Sequence, residues 1–221
     1  MTYNLKNYFN NINIFFLLLI CILATINFFL NLPSAYIYIF CFLLIATVGV
    51  SHGAYDGKKG ELLFNNKFKN WKFIFYFTYV ALAISVFIIW YLNPLISLII
   101  FLVVSSFHFG KEDLEIYLDK KNRHHLFIFF LKGSLIVLLP LFFNFEQTNF
   151  IFNTIIFSKD YILLSSNYTK LILILNLLTQ AIFYLYAYLK KKLNRSDFIS
   201  IIFEIFLIII VFYLFAPIVA F

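Results

Sequence analysis

Ser51-His52-Gly53-Ala54-Tyr55-Asp56-Gly57 and Ser105-Ser106-Phe107-His108-Phe109-Gly110-Lys111-Glu112-Asp113 are two short polar stretches set in an otherwise apolar sequence. Each closes a long apolar run with a histidine, and each carries a carboxylate four or five residues later. The chain has only 4 histidines, and two of them stand in these near-parallel contexts. A histidine at the edge of a membrane helix is costly to desolvate and needs a partner or a function. The pair reads as half of a metal site.

The surrounding sequence decides that these runs are membrane helices. Hydrophobic residues make up 63 % of the chain and charged residues 12 %, with a mean hydropathy of +0.94. Soluble domains are about 45–50 % apolar and about 25 % charged, so this is an integral membrane protein. The 32 Phe and 15 Tyr suit lipid contact or a pocket for a long flat apolar ligand, and AT-rich codon usage is an equally good account of them. Cys21 and Cys41 lie in apolar runs without metal or redox spacing, and are expected to be small core residues with no disulfide.

In chain order, a largely polar segment precedes an apolar run from Ile14 to about Leu30. That run exceeds the ~7–15 residues of a signal-peptide core and has no small-x-small cleavage site, so it reads as a retained helix. Leu32-Pro33-Ser34 breaks it, and Ala35–Gly53 is the second run. Further runs follow at Phe73–Tyr91, Leu95–Gly110, Leu126–Phe143, Leu171–Leu189 and Asp197–Phe215. Asn144–Lys170 is longer and mixed, with room for an interfacial helix. Ser196 is the expected N-cap of the last run, and Asp197 suits its first turn. The fold class is therefore all-α, a polytopic bundle of about 7 transmembrane helices forming a single domain over residues 1–221.

Charge sets the orientation. Of 17 Lys and Arg, 5 lie in Gly57–Lys72, 5 in Lys111–Lys132, 4 in Lys190–Arg195 and 1 in the N-terminal segment. These basic segments follow every second run, so they share one side, which the positive-inside rule makes cytoplasmic. The expectation is a multi-pass protein of the cell membrane with its N-terminus in the cytoplasm. The net charge of +7 is a topology signal, and nucleic-acid binding is not needed to explain it.

With both histidine-bearing runs descending in the same direction, His52 and His108 reach similar depth and could share a metal. Asp56 lies on the same helical face as His52, and Glu112 or Asp113 is placed to accept a proton from the non-ligating nitrogen of His108. Gly53 and Gly110 permit close helix contact. The competing reading makes both histidines interfacial caps hydrogen-bonded to these carboxylates, and the two stay open on the residues alone. His124 and His125, in the basic segment Lys121–His125, read as polar surface. Glu204 stands inside the last run, where an unpaired carboxylate is expensive, so it should face the bundle and be paired or protonated. It is either a structural hydrogen-bonding residue or part of the support of the site. The sequence has no Walker loop, no Gly-x-Ser-x-Gly elbow, too few histidines for a di-iron desaturase and no lysine in the last run for a retinal Schiff base.

The two histidine stretches resemble those of the Brp/Blh family, membrane β-carotene 15,15′-dioxygenases of bacteria and archaea. Lys132-Gly133-Ser134 through Leu139-Pro140, then Phe145-Glu146-Gln147-Thr148, are similar to the family's middle section. Glu204 and Phe215-Ala216-Pro217-Ile218-Val219-Ala220-Phe221 are similar to its last third. The resemblance implies cleavage of the central double bond of β-carotene with O2 and Fe(II), giving two molecules of retinal, and a functional link to a rhodopsin that uses it. It implies that His52 and His108 are two of four iron-binding histidines; Asp56, Glu112, Asp113 and Glu204 stay candidates for supporting them, as read from the residues above. The other two come, in the family, from a His-x-x-x-His pair that this sequence lacks. The expectation is a chain shortened before an eighth helix that Pro217 would open, or a relative that has lost half its site, binding iron weakly and turning over poorly. Two further readings use the same histidines: a non-catalytic transporter or assembly factor with a proton relay through them, and a b-type haem protein with them as axial ligands.

Overall fold

The computed structural model describes residues 14–15, 17–23, 25, 39, 42–43, 46–47, 56–58, 60–65, 68–118, 123–158 and 164–220, with the backbone alone at 123 and 124. Every regular element among them is a helix: α1 Trp71–Leu92, α2 Pro94–Leu114, α3 Arg123–Phe143, α4 Phe145–Ile155, α5 Ser166–Leu189, α6 Arg195–Leu214 and the short α7 Pro217–Ala220. Five of them, α1, α2, α3 from His125, α5 and α6, are long and apolar enough to cross a membrane. The chain is a multi-pass membrane protein. Of the first apolar run, residues 14–15, 17–23 and 25 are described, and they are helical; the second run falls mostly outside the described residues.

The chain divides into two compact units, Leu32–Ser97 and Met1–Asn31 with Leu98–Phe221. Within the first, α1 buries none of its residues, and its Phe75 ring packs on Phe64 at 6.1 Å between centroids. Asp56 lies in this unit and accepts a hydrogen bond from the Tyr79 hydroxyl at 3.4 Å.

In the second unit, α3 packs against α5 and α6. One apolar cluster joins Leu114, Ile128, Phe129, Tyr184, Ala187, Leu193 and Ile201. A second joins Leu135, Leu138, Leu139, Leu173 and Phe212. In lipid the hydrophobic effect does not drive helices together, so packing and interhelical hydrogen bonds must. Asn176 supplies such bonds: its amide donates to the Leu131 carbonyl at 3.1 Å and to the Ser134 hydroxyl at 2.7 Å. Gln180 donates to the same Leu131 carbonyl at 3.2 Å and to Asn176 Oδ1, and Tyr184 donates to Gln180 Oε1 at 3.3 Å. Pro140 stands inside α3, and the Thr148 hydroxyl donates to its carbonyl at 3.0 Å, tying α4 to the end of α3.

Three sequence expectations need correction. The N-cap of α6 is Asn194, not Ser196: the Asn194 side chain accepts from the Asp197 backbone N–H at 2.7 Å. Asn is as good a cap as Ser, and its position one turn before Asp197 decides the matter. Cys21 is free but exposed rather than in the core, because an apolar run offers lipid-facing positions as well as inward ones. His125 is not loop surface; it stands in α3, half-buried, with its ring edge-on to Phe183 at 6.0 Å between centroids. Asp197 does lie in the first turn of α6, and the mixed segment after Phe143 does hold a helix, α4.

Candidate functional site

Two glycines determine how α2 meets α3. A methyl group on Gly110 would collide with the Phe129 carbonyl, and one on Gly133 with the Ser106 carbonyl. The two backbones therefore touch, the close approach that small residues allow between membrane helices. The Ser106–Gly110–Asp113 face of α2 turns towards α3. At 3.6 residues per turn, His108 is about 200° round the helix from Ser106 and points away.

His108 is accordingly exposed, at 58 % of its side chain, and Glu112, one turn later, at 54 %. His108 Nε2 lies 3.5 Å from Glu112 Oε1. A carboxylate in that place holds Nε2–H and leaves Nδ1 as the nitrogen with a free lone pair. Of the two carboxylates expected beside His108, Glu112 takes the position and Asp113 does not.

Asp113 belongs to a different group of residues. It lies within electrostatic reach of Lys132 and Glu204. Lys132, at the middle of α3, is completely buried, and its Nζ sits 3.3 Å from Glu204 Oε2. The Tyr117 hydroxyl donates to Glu204 Oε1 at 3.0 Å. Burial first, and then the Glu204 charge, push the Tyr117 hydroxyl above its ordinary value, so it remains a neutral donor. Lys132 therefore does not belong with the cations of the basic segment Lys111–Lys132: it is the buried counter-ion of Glu204. Glu204 faces the bundle and is paired, as its place inside an apolar run requires. Lys132 gave the same signal, a lone charge inside an apolar run, and was the natural partner of opposite sign.

Neither His52 nor Gly53 lies among the described residues, so the shared depth of His52 and His108 and the pairing of His52 with Asp56 fall outside them. Among the described residues no group of three or more His, Cys, Asp or Glu side chains could hold a metal ion. Of the two expected histidine ligands, His108 alone is described, and Glu112 is placed to support it.

These features define a polytopic helical membrane protein with an exposed histidine near the end of α2 and a buried ion pair between α3 and α6. The model of the beta-carotene 15,15′-dioxygenase family matches residues 43–221, most of the chain, and the chain belongs to that family. The matched span includes both histidine stretches, Lys132 and Glu204. Comparison with curated proteins and with solved structures gave no match.

Proposed function

We propose that the chain is an iron-dependent carotenoid dioxygenase that cleaves β-carotene at its central 15,15′ double bond, giving two molecules of retinal. The family match over residues 43–221 carries this reading. The reaction balances without an external reductant: the double bond breaks, and each oxygen atom of O2 ends in one aldehyde. His52 and His108 are the proposed Fe(II) ligands from this chain, with Asp56 and Glu112 fixing their tautomers. Fe(II) supplies the O2 chemistry when bound, and O2 chemistry at non-haem iron needs open coordination positions. Asp113 and Glu204 take a structural place instead, through Lys132. The apolar bundle keeps water from the polyene, which enters from the bilayer where it dissolves. The proposed location is the cell membrane with a cytoplasmic N-terminus, supported by the basic segments flanking alternate runs. The retinal would serve a rhodopsin.

Expression in bacteria that accumulate β-carotene tests this. The expected result is loss of orange colour with retinal accumulating, and His108→Ala is expected to reduce retinal at least ~100-fold with protein level unchanged, as for loss of a metal ligand or its support. Orange cells without retinal, despite folded chain in the membrane, would sink the enzyme reading. The second reading, a family member that does not turn over, draws on the sequence offering only His52 and His108 as histidine ligands from the two polar stretches, and that outcome would favour it.

A further inference from the structure

The turn between α5 and α6, Lys190-Lys191-Lys192-Leu193-Asn194, is held by both helices. The backbone N–H groups of Lys192 and Lys191 donate to the Ala187 and Tyr188 carbonyls, both at 2.9 Å, and close the end of α5. This helix ending places one residue in the left-handed region, where glycine is preferred. Here that residue is Lys191, with a φ of 56°. Leu193 is buried in the apolar cluster with Tyr184, Ala187 and Ile201. Asn194 caps α6, and the Tyr188 ring of α5 stacks on Phe198 of α6 at 5.1 Å between centroids.

On this frame Lys190, Lys191, Lys192 and Arg195 are all exposed. The Lys190 ammonium lies 6.0 Å from the centre of the Tyr186 ring. None of the four forms an ion pair with a carboxylate among the described residues. Asp197, the nearest carboxylate in the sequence, is buried. Four cations therefore share six residues with no anion of the chain to balance them. The topology rule accounts for cations at a helix end, but it does not account for Lys191. A topology signal is met by a lysine anywhere in the segment, whereas the backbone at 191 is best served by glycine. The chain carries a charge where its conformation favours no side chain at all.

We infer that the α5–α6 turn is a binding site for the headgroup of an anionic phospholipid. The turn joins two membrane-crossing helices, so its cations are held at the membrane surface, where Lys and Arg attract anionic lipid. Next to it α5 exposes Leu185 and Leu189, and α6 exposes Ile199 and Ile202. That apolar surface suits the acyl chains of the same lipid. A soluble polyanion would meet the charge and leave the apolar surface unused. The site involves neither of the histidine stretches and does not depend on carotene cleavage.

Native mass spectrometry of the full chain in a non-ionic detergent tests this, with phosphatidylglycerol titrated against phosphatidylcholine of the same acyl chains. One phosphatidylglycerol per chain is expected, held at least about tenfold more tightly than phosphatidylcholine. The triple variant K190Q/K192Q/R195Q is expected to lose that preference. K58Q/K69Q/K72Q, which removes the same charge from the other compact unit, is expected to keep it. Lys191→Gly should weaken phosphatidylglycerol about fivefold, the share of one cation, while its thermal unfolding midpoint in detergent alone does not fall. Equal retention of the two lipids, displacement by glycerol phosphate as readily as by phosphatidylglycerol, or the same loss in K58Q/K69Q/K72Q would each overturn the inference. A Lys191→Gly chain that binds as before and unfolds earlier would overturn it too, by assigning the lysine to the turn itself.

Discussion

Gly133→Ala is expected to destabilise the bundle by at least about 3 kcal/mol, the upper end of the range for overpacking. Within a helix the same substitution normally stabilises by ~1 kcal/mol, since alanine is the better helix former. The sign reverses because the new methyl meets the Ser106 carbonyl, a backbone group that cannot rotate away. Relief requires α2 and α3 to separate, which strips packing from the whole crossing. Gly110→Ala meets the Phe129 carbonyl and should act alike. Unfolding in mixed micelles of increasing SDS fraction would measure both. Leu82→Ala on the exposed surface of α1 serves as the neutral control. A Gly133→Ala midpoint equal to that of the control would show that the helices do not meet as described.

Lys132→Met is expected to cost about 3–5 kcal/mol, the range for breaking a buried ion pair from one side. It leaves Glu204 without its cation, and Asp113 and Glu204 within electrostatic reach of one another. Glu204→Gln should cost less, because Asp113 and Lys132 remain as opposite charges and the amide oxygen still accepts from Tyr117. The double variant K132M/E204L is expected to return to within about 1 kcal/mol of the parent or to exceed it, since apolar replacements of buried ion pairs are often neutral or stabilising. The SDS-unfolding midpoints of the three variants decide the point. Additive losses in the double variant would mean that the two residues do not act as a pair.

The helices were legible because lipid imposes a crude rule: length and apolarity suffice. The runs at Phe73–Tyr91 and Leu95–Gly110 correspond to α1 and α2, with boundaries moved by up to four residues where polar ends continue the helix. Glu204 was legible for the same reason, as a charge that lipid would not tolerate alone. Lys132 obeyed that rule too, and was obscured by counting cations segment by segment rather than asking where each must find an anion. That His108 has a carboxylate partner followed from its spacing to Glu112 and Asp113. The links among Asn176, Gln180 and Ser134 did not, because uncharged polar residues leave a weak mark in an apolar run and their partners depend on which faces α3 and α5 turn to each other. Spacing along α2 also left Asp113 and Glu112 equivalent beside His108. Only the glycine crossing, which rotates Asp113 inward, separates them.

The Lys132–Glu204 bond spans 72 residues of sequence, which has a consequence for how the chain is made. At translation rates of about 5–20 residues per second, the lysine emerges roughly 4–14 s before its counter-ion exists. During that interval α3 carries an uncompensated cation, at a cost of about 3 kcal/mol for lysine at a helix centre on translocon-insertion scales. The apolar residues of α3 carry that cost, with Asp113 of the already synthesised α2 within electrostatic reach of the lysine, until α6 arrives and closes the pair. Glycosylation mapping of ribosome-stalled chains ending before and after Glu204 would follow α3 through that interval. Firm insertion of α3 from the shorter chain with Asp113 changed to alanine would show that its apolar residues suffice alone.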